Sequence, residues 1–266
     1  LAGELADALF GLGRAPLREV IRERPRRVPR PALSDRAQFT PIHSCVVAAA
    51  FVTIVAVAGK SACPACVPAA WSYDDIRPLL MESGQLITAK EAERRVLVLE
   101  NPGIRGISQI TQSLYAGLQL VLPGETTSTH RHMASAIRLI VEGSGAYTAV
   151  DGERTTMHPG DFILTPNWSP HDHGNPGKEP VMWLDVLDMP TINHFETSFM
   201  EHFEEKAQNT SRADGDSLDR YGSGVLPDGS MNTFVHRSPV INYTYKRTRP
   251  IVERMMNAGD IDKRHG

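Results

Sequence analysis

The segment HRHMASAIRLIVEGSGAYTAVDGE, residues 130–153, decides the fold of this chain. It places two histidines one residue apart before an apolar run, which a glycine turn separates from a second apolar run. In an extended chain, residues i and i+2 face the same side, so His130 and His132 point towards a common centre while Arg131 points away. The segment therefore predicts a β-hairpin that begins with a pair of converging imidazoles.

Further apolar runs surround this segment at the close spacing that is typical of antiparallel sandwiches and barrels. Asp151-Gly152 stands between two of these runs and is a strong signal for a two-residue hairpin turn. The sequence thus predicts one central all-β unit. Its expected strands cover residues 95–101, 114–122, 135–143, 146–150, 161–166 and 181–188.

Helical patterns precede the strands. Ser72 is a candidate N-cap for a helix that Gly84 is expected to end. Thr88 and Glu91 have the spacing of a capping box, which predicts the start of a second helix.

Helical patterns also follow the strands. After residue 190 the strand pattern stops, and residues 192–208 are typical of a regular or irregular helix. A polar, glycine-rich connector occupies residues 209–230. A closing helix is then expected near residues 248–259, with Pro250 early and Gly259 late.

Composition excludes several classes of partner. The 266 residues can bury a substantial core, and 31 acidic against 28 basic residues give a net charge of −3. This balance does not favour nucleic acid or an anionic membrane, so a small molecule is the expected partner. Cys45, Cys63 and Cys66 are too few to staple a secreted scaffold, which favours free thiols and a cytoplasmic location. Cys63 and Cys66 have zinc-knuckle spacing, but no second Cys or His pair follows at the expected distance.

One apolar stretch, residues 45–59, follows a basic stretch at residues 22–36. It is shorter than the roughly 20 apolar residues that a membrane-spanning helix requires. It also lies too far from the first residue for an ordinary signal peptide. We therefore expect a buried or aberrant segment and no membrane partner, with membrane attachment as the alternative.

A second histidine pair repeats the spacing of the first. His171 and His173 come about forty residues later, directly after a predicted strand. If the two strand ends face each other, three neutral imidazoles can hold one metal ion and leave its opposite face open. A single such pair is more often a surface or core feature, but two pairs around a hairpin favour a metal site. Imidazole ligands suit iron, zinc, nickel or copper. No role is expected for His158, His194, His202, His236 and His265.

Two motifs resemble those of a known family. GETTSTHRH, residues 124–132, resembles the first cupin motif, and GDFILTPNWSPHDHGN, residues 160–175, resembles the second. More narrowly, the chain from about Pro64 onwards resembles the gentisate 1,2-dioxygenase family, with its relatives that act on salicylate and 1-hydroxy-2-naphthoate. The resemblance implies an all-β cupin fold, a double-stranded β-helix or jelly-roll barrel, with helical N- and C-terminal flanks.

The resemblance also implies the metal site. It makes His130, His132 and His171 the ligands of Fe(II). The glutamate that the general cupin pattern places after the first histidine pair is absent from residues 133–138, as in this dioxygenase subgroup. His173 is then the histidine that hydrogen-bonds substrate or oxygen and serves in acid–base chemistry.

Further site residues follow from the same resemblance. Arg138 lies six residues after His132, on the same strand face, and is expected to bind the substrate carboxylate; a salt bridge to Asp185 or Glu142 is the alternative. Gln119 and Asp185 correspond to other pocket positions, and Arg94 to a basic residue that closes the site. Trp168 and Trp183 are expected to wall the pocket, with a place in the aromatic core as the alternative. Tyr115 is expected to bear on the choice of substrate.

The implied reaction is Fe(II)-dependent opening of gentisate by dioxygen, between the carboxyl-bearing and hydroxyl-bearing carbons, to give maleylpyruvate. Salicylate or 1-hydroxy-2-naphthoate is the alternative ortho-hydroxy aromatic acid. A metal-binding monocupin without catalysis is the alternative from a different class. The family resemblance also implies a homo-oligomer.

The expected domain organisation has four parts. Residues 1–66 form an atypical segment, disordered or aberrant, in which residues 18–62 are unlike the family; a shifted reading frame is one hypothesis. Residues 67–100 form a helical lead-in, 101–190 the cupin barrel, and 191–266 a helical and connector region. The family carries a second cupin after this connector, and its absence is expected to expose apolar surface.

Overall fold

Two antiparallel sheets form the centre of the computed structural model, which describes residues 65–92, 94–222 and 238–257. The strands are β1 (Arg95–Val98), β2 (Tyr115–Val121), β3 (Thr126–His132), β4 (Ala136–Glu142), β5 (Tyr147–Val150), β6 (Glu153–Thr156), β7 (Phe162–Thr165), β8 (His171–Gly174), β9 (Val181–Leu187), β10 (Met200–His202) and β11 (Asn242–Tyr243). One sheet has the order β1-β2-β9-β4-β7-β11 and the other β10-β3-β8-β5-β6. The helices are α1 (Tyr73–Leu86), α2 (Ala89–Ala92), α3 (Met189–His194), α4 (Asp216–Tyr221) and α5 (Tyr245–Asn257).

The core has two apolar layers because neighbouring residues of a strand face opposite sides of the sheet. Between the two sheets lies a cluster that includes Ile140 of β4, Val150 of β5 and Trp183 of β9. On the outer face of the six-stranded sheet lies a second cluster, where α1 packs against β2 and β9. This arrangement confirms the predicted all-β cupin unit with helical flanks and explains why β2 is apolar almost throughout.

The predicted features of the N-terminal flank are confirmed in part. Thr88 N–H donates to Glu91 Oε2 at 3.0 Å, and Glu91 N–H donates to Thr88 Oγ1 at 3.3 Å, as a capping box requires. Ser72 takes the N-cap position of α1, but its side chain makes no capping bond. Gly84 does not end α1, which continues to Leu86. A Cβ at Gly84 would lie 3.0 Å from Leu120 Cδ2, so this glycine permits the close approach of α1 to β2.

The strand pattern does not stop at residue 190, so that prediction is wrong. Within residues 192–208, β10 pairs with β3, and further along β11 pairs with β7. Strands of three and two residues are too short to show the alternation that identifies a strand in the sequence. The closing helix α5 begins at Tyr245, which places Pro250 within it. Gly259 lies outside the described residues, and the division of the chain at residues 66, 100 and 190 stays a prediction.

In the part of the chain that the structure describes, every helix is too short or too polar to cross a bilayer. The apolar stretch at residues 45–59 lies outside that part, as do Cys45 and Cys63. Cys66 is buried near the start of the described chain.

The hairpin predicted at Asp151-Gly152 is confirmed. These residues join β5 to β6, with Val150 paired to Glu153, and both have positive φ values of 49° and 82°. Positive φ at both central residues is the geometry of a type I′ turn, which matches the twist of the strands.

Gly152→Ala is expected to lower the free energy of unfolding by about 2 kcal/mol. A left-handed residue with a side chain costs roughly 1–2 kcal/mol, and the new methyl group would overlap Ser211 Oγ. Gly106→Ala is the matched control, because Gly106 has a φ of 90° and no atom within 4 Å of an added Cβ. Chemical denaturation of both variants measures the difference, and equal losses would contradict the contribution of the Ser211 contact.

Candidate metal centre

Three histidines from two strands meet in the barrel. His130 and His132 lie on β3 and His171 on β8, and one ligand atom from each lies within 4.8 Å of the others. The ring centroids of His130 and His171 are 4.1 Å apart, and those of His132 and His171 are 4.7 Å apart. The structure therefore brings together the three residues that the sequence analysis selected as ligands.

A register shift in β3 makes this convergence possible. Thr127 pairs with His173 and His130 pairs with His171, so three steps along β3 match two steps along β8. In a regular strand, residues three apart face opposite sides. The extra residue, as in a β-bulge, lets Thr127 and His130 share one face. His130 consequently faces His171.

Backbone carbonyls fix the tautomers of all three rings. Nδ1 lies 2.9 Å from Ser128 O in His130, 2.7 Å from Ala134 O in His132 and 2.9 Å from Ser169 O in His171. A carbonyl oxygen only accepts, so each Nδ1 carries the proton and donates it. Each Nε2 therefore keeps a lone pair, which is the state of a histidine that binds a metal through Nε2.

The Nε2 atoms fit a metal ion. Those of His132 and His171 are buried without a hydrogen-bond partner, and that of His130 is contacted by Arg94 Nη2. Buried acceptors without a partner are costly, and a shared cation would satisfy them. Burial, with the charge of Arg94 next, lowers the pKa of His130 to about 3 and that of His132 to about 4. Burial lowers the pKa of His171 well below its usual value, so all three rings are neutral at neutral pH, as ligands must be.

The same pKa values predict that the protein loses stability in acid when a chelator removes metal. The unfolded chain takes up protons on these histidines below about pH 6.5. In the folded chain His130 and His132 do so only at about pH 3–4, and the pKa of His171 is also well below its usual value. Unfolding is therefore favoured as the pH falls, by up to about 1.4 kcal/mol per pH unit for each ring. Chemical denaturation with chelator at pH 7 and pH 5 measures the loss. His132→Gln should show a smaller loss, and equal stability of the unsubstituted protein at both pH values would contradict the prediction.

A buried ion pair lies on the inner face of the opposite sheet. Arg138 and Asp185 are register partners on β4 and β9, and Arg138 Nε is 3.0 Å from Asp185 Oδ1. Arg138 Nη1 also donates to Thr165 Oγ1, and Trp183 Nε1 donates to Asp185 Oδ2 at 2.9 Å. Of the two salt bridges left open for Arg138, the one to Asp185 is therefore present.

Glu142 is engaged elsewhere. Its carboxylate accepts hydrogen bonds from Arg77 Nε and Nη2 at 2.7 and 2.5 Å and from Tyr73 Oη at 2.7 Å. These contacts tie α1 to the edge of β4 and leave Glu142 outside the metal centre.

Other predicted site residues line the same interior. His173 is fully buried, its Nδ1 is 2.9 Å from Thr148 Oγ1, and its ring centroid lies 5.8 Å from that of His171. Gln119 is buried opposite Trp183 and its Nε2 has no hydrogen-bond partner. Burial raises the pKa of Tyr115, and the charge of Asp185 adds to the effect while that of Arg94 opposes it.

The two tryptophans that the sequence analysis selected have different surroundings. Trp183 belongs to the cluster between the sheets, and its ring centroid is 5.4 Å from that of His173. Trp168 instead packs against Phe199 and beneath the guanidinium of Arg131, at 4.4 Å. Arg131 points away from the histidines, as predicted, so Trp168 does not wall the pocket.

His202 is a neighbour that the sequence analysis missed. It lies opposite His130 in the β10–β3 register, with ring centroids 6.2 Å apart. No local pattern could have identified it, because its position depends on the pairing of β10 with β3.

Several known proteins are similar to this chain in sequence. The profile of the cupin domain matches residues 117–187. Gentisate 1,2 dioxygenase 1 of Aquipseudomonas alcaligenes is 53% identical over 201 residues, which is 76% of this chain and 58% of the relative. Gentisate 1,2-dioxygenase of Ralstonia sp is 45% identical over 184 residues, 68% of this chain and 51% of the relative.

A solved structure is similar to this chain in fold. The crystal structure of a salicylate 1,2-dioxygenase from Pseudaminobacter salicylatoxidans superposes with a TM-score of 0.65 at 31% identity, covering 72% of this chain and 55% of that one. The chain thus spans somewhat more than half the length of these relatives. Since the similarity covers the strands, the helical lead-in and the histidine pairs together, the chain belongs to the gentisate 1,2-dioxygenase family of cupin proteins.

Proposed function

We propose that this protein opens the ring of gentisate with dioxygen, using Fe(II) held by His130, His132 and His171. The observation that carries the proposal is the convergence of three neutral imidazoles beside a buried arginine–aspartate pair. Bound iron would supply coordination sites for the aromatic acid and oxygen and accept electron density from the ring. Imidazoles alone do not select iron over zinc, nickel or copper, so the choice of iron rests on the family.

The ligand set suits an anionic substrate. Three neutral ligands leave the full charge of a divalent ion, which favours a carboxylate and an adjacent phenolate. Arg138 is held in one orientation by Asp185 and Thr165 and has further N–H groups for the substrate carboxylate. Gln119 has a buried Nε2 group that a substrate oxygen can satisfy.

His173 is proposed to hydrogen-bond the ortho hydroxyl of the substrate and to take part in the transfer of its proton. Burial lowers its pKa well below the usual value, so its ring is neutral at neutral pH and can accept a hydrogen bond from the ortho hydroxyl. A bound divalent ion, rather than the basicity of the ring, would supply the driving force for loss of that proton. The contact with Thr148 fixes the orientation of the ring. In the balanced reaction the bond between the carboxyl-bearing and hydroxyl-bearing carbons breaks, the O–O bond breaks, and both oxygen atoms enter maleylpyruvate.

Anaerobic loading with Fe(II), followed by gentisate and oxygen, tests the proposal through the absorbance of the ring-opened product. Salicylate and 1-hydroxy-2-naphthoate are assayed in parallel, because the relatives act on several such acids, and 3-hydroxybenzoate is the control that lacks an ortho hydroxyl. Oxygen-dependent turnover of gentisate is expected. Absence of turnover with every ortho-hydroxy acid would contradict the proposed ring-opening function.

A metal-binding cupin without catalysis is the second candidate. The specific observation in its favour is that the three converging histidines account for metal binding but not, by themselves, for catalysis. Metal analysis alone cannot separate the two functions, because both require the three histidines. Binding of iron and gentisate without product would identify this second function.

A further inference from the structure

An irregular segment, residues 203–212, follows β10 and lies on the outside of the sheet that carries the histidines; we call it the outer segment. Its first N–H donates to Thr129 O on β3 at 3.0 Å, and its last donates to Gly152 O at the β5–β6 turn at 3.1 Å. Between these ends Gln208 is partly buried, whereas the residues on either side of it are exposed. The outer segment therefore contacts the middle of the sheet through Gln208.

Gln208 makes four hydrogen bonds to the barrel. Its backbone N–H donates to Asp172 Oδ2, and its side-chain Nε2 donates to Pro170 O and Ala149 O, each at 3.0 Å. Its Oε1 accepts a hydrogen bond from Gly152 N–H at 2.7 Å. One residue thus joins the outer segment to β8, to β5 and to the turn that follows β5.

Two of these partners adjoin the metal ligand His171. Asp172 follows His171 on β8 and faces the opposite side of the strand, where its side chain is nevertheless buried. Pro170 precedes His171, and its carbonyl belongs to the peptide bond between them. The carbonyl of Ser169, one residue earlier, accepts the Nδ1 proton of His171. Gln208 therefore holds, from the outside, the short stretch of chain that orients the ligand ring on the inside.

The position of β8 needs such support before a metal binds. Nε2 of His132 and of His171 are buried acceptors without a hydrogen-bond partner, and this lowers the cost of any local opening that lets water reach them. The strand has only four residues, and its register with β3 shifts between Thr127 and His130. If β8 can leave this register, the apparent metal affinity falls with the fraction of molecules that still hold it.

We propose that Gln208 is a positioning residue of the metal centre: by bonding Asp172 and Pro170 it keeps His171 in the ligand position before the metal arrives. The inference rests on the metal centre of the proposed function but not on ring opening. All three ligands remain when the Gln208 side chain is removed. The expected consequence is therefore weaker metal binding and not the loss of the site.

Titration of the chelator-treated protein with Co²⁺, followed by the d–d absorption of the bound ion, tests this role. Gln208→Ala removes three hydrogen bonds and should raise the Kd for Co²⁺ about tenfold. Partners that orient metal-bound histidines contribute about 10–100-fold to metal affinity, and Gln208 acts through the adjacent peptide, so the lower end is expected. Gln208→Glu keeps the size of the side chain and the bond from Gly152, but it sets a carboxylate against two carbonyl oxygens. It should weaken Co²⁺ binding at least as much.

Ser217→Ala is the matched control. Ser217 is buried on α4, outside the outer segment, and its Oγ donates to Glu153 Oε1 at 3.0 Å and accepts from Ile241 N–H at 3.1 Å. The substitution removes two buried hydrogen bonds at β6, a strand that carries no ligand. We expect it to lower the free energy of unfolding in chemical denaturation, as Gln208→Ala does, while its Kd for Co²⁺ equals that of the unsubstituted protein.

An unchanged Kd for Co²⁺ in folded Gln208→Ala would overturn the proposal, as would an equal rise in Ser217→Ala. If Gln208→Ala does not fold, the isosteric Gln208→Glu decides by the same criterion. Co²⁺ binding needs neither substrate nor oxygen, so these outcomes are independent of turnover. A protein that shows the tenfold effect but opens no ring would contradict the proposed function alone. An active enzyme whose Gln208 variants bind Co²⁺ normally would contradict this inference alone.

Discussion

His171→Ala is expected to abolish metal binding and, with it, ring opening. His171 is fully buried, and its Nδ1 donates to Ser169 O, so its Nε2 is fixed in the cluster and alanine offers no ligand atom in its place. Zinc sites with four ligands are worth roughly 10–16 kcal/mol, so one ligand contributes about 3 kcal/mol, more than a hundredfold in Kd. With only three protein ligands here, the loss should be at least of this order.

Metal content after dialysis and the Kd for Zn²⁺ measure the effect, and the oxygen-dependent gentisate assay measures turnover. His158→Ala is the matched control, since the side chain of His158 is 63% exposed and lies outside the cluster. Circular dichroism of both variants establishes that the barrel is folded. A folded His171→Ala protein that still holds one metal ion per chain would contradict the assignment of this ligand.

Arg138→Met is expected to destabilise the protein by about 3–5 kcal/mol and to abolish turnover. The side chains of Arg138 and Asp185 are 2% and 8% exposed, so the substitution leaves a buried carboxylate without its cation. Removal of one partner of a buried pair costs about this much because the remaining charge stays desolvated. The loss of turnover has a separate cause, since the proposed site for the substrate carboxylate is gone.

The double variant Arg138→Met/Asp185→Asn separates the two effects. The amide is neutral, and its oxygen can still accept the hydrogen bond from Trp183 Nε1. We therefore expect most of the lost stability to return in chemical denaturation, while the gentisate assay stays inactive. Recovery of turnover together with stability would show that Arg138 has only a structural role.

Local sequence patterns were sufficient for much of the fold. The longer strands, such as β2 and β9, carry enough apolar residues to be recognised. Asp151-Gly152 identified its hairpin because few residue pairs tolerate positive φ at both positions, as a type I′ turn requires. The short polar strands were harder to recognise. β3 and β6 are rich in threonine and charge, and β10 has three exposed residues, so none shows an apolar alternation.

Local patterns also misplaced two features. Gly84 has the position of a helix stop, but the approach of α1 to β2 requires a residue without a side chain there. Trp168 is expected from the sequence to wall the pocket or to join the aromatic core, yet it packs beneath Arg131 on the other side of β3. Both differences arise because packing partners distant in sequence decide where a side chain lies.

The sequence by itself determined the chemistry of the centre: two His-x-His pairs, each directed to one side of an extended chain, and the hairpin between them. Only the tertiary structure decided that β3 and β8 pair, that a register shift turns His130 towards His171, and that Arg138 takes Asp185 rather than Glu142. The physical reason is that side-chain direction follows from local backbone geometry, whereas strand pairing and burial depend on the free energy of contacts formed across the whole chain.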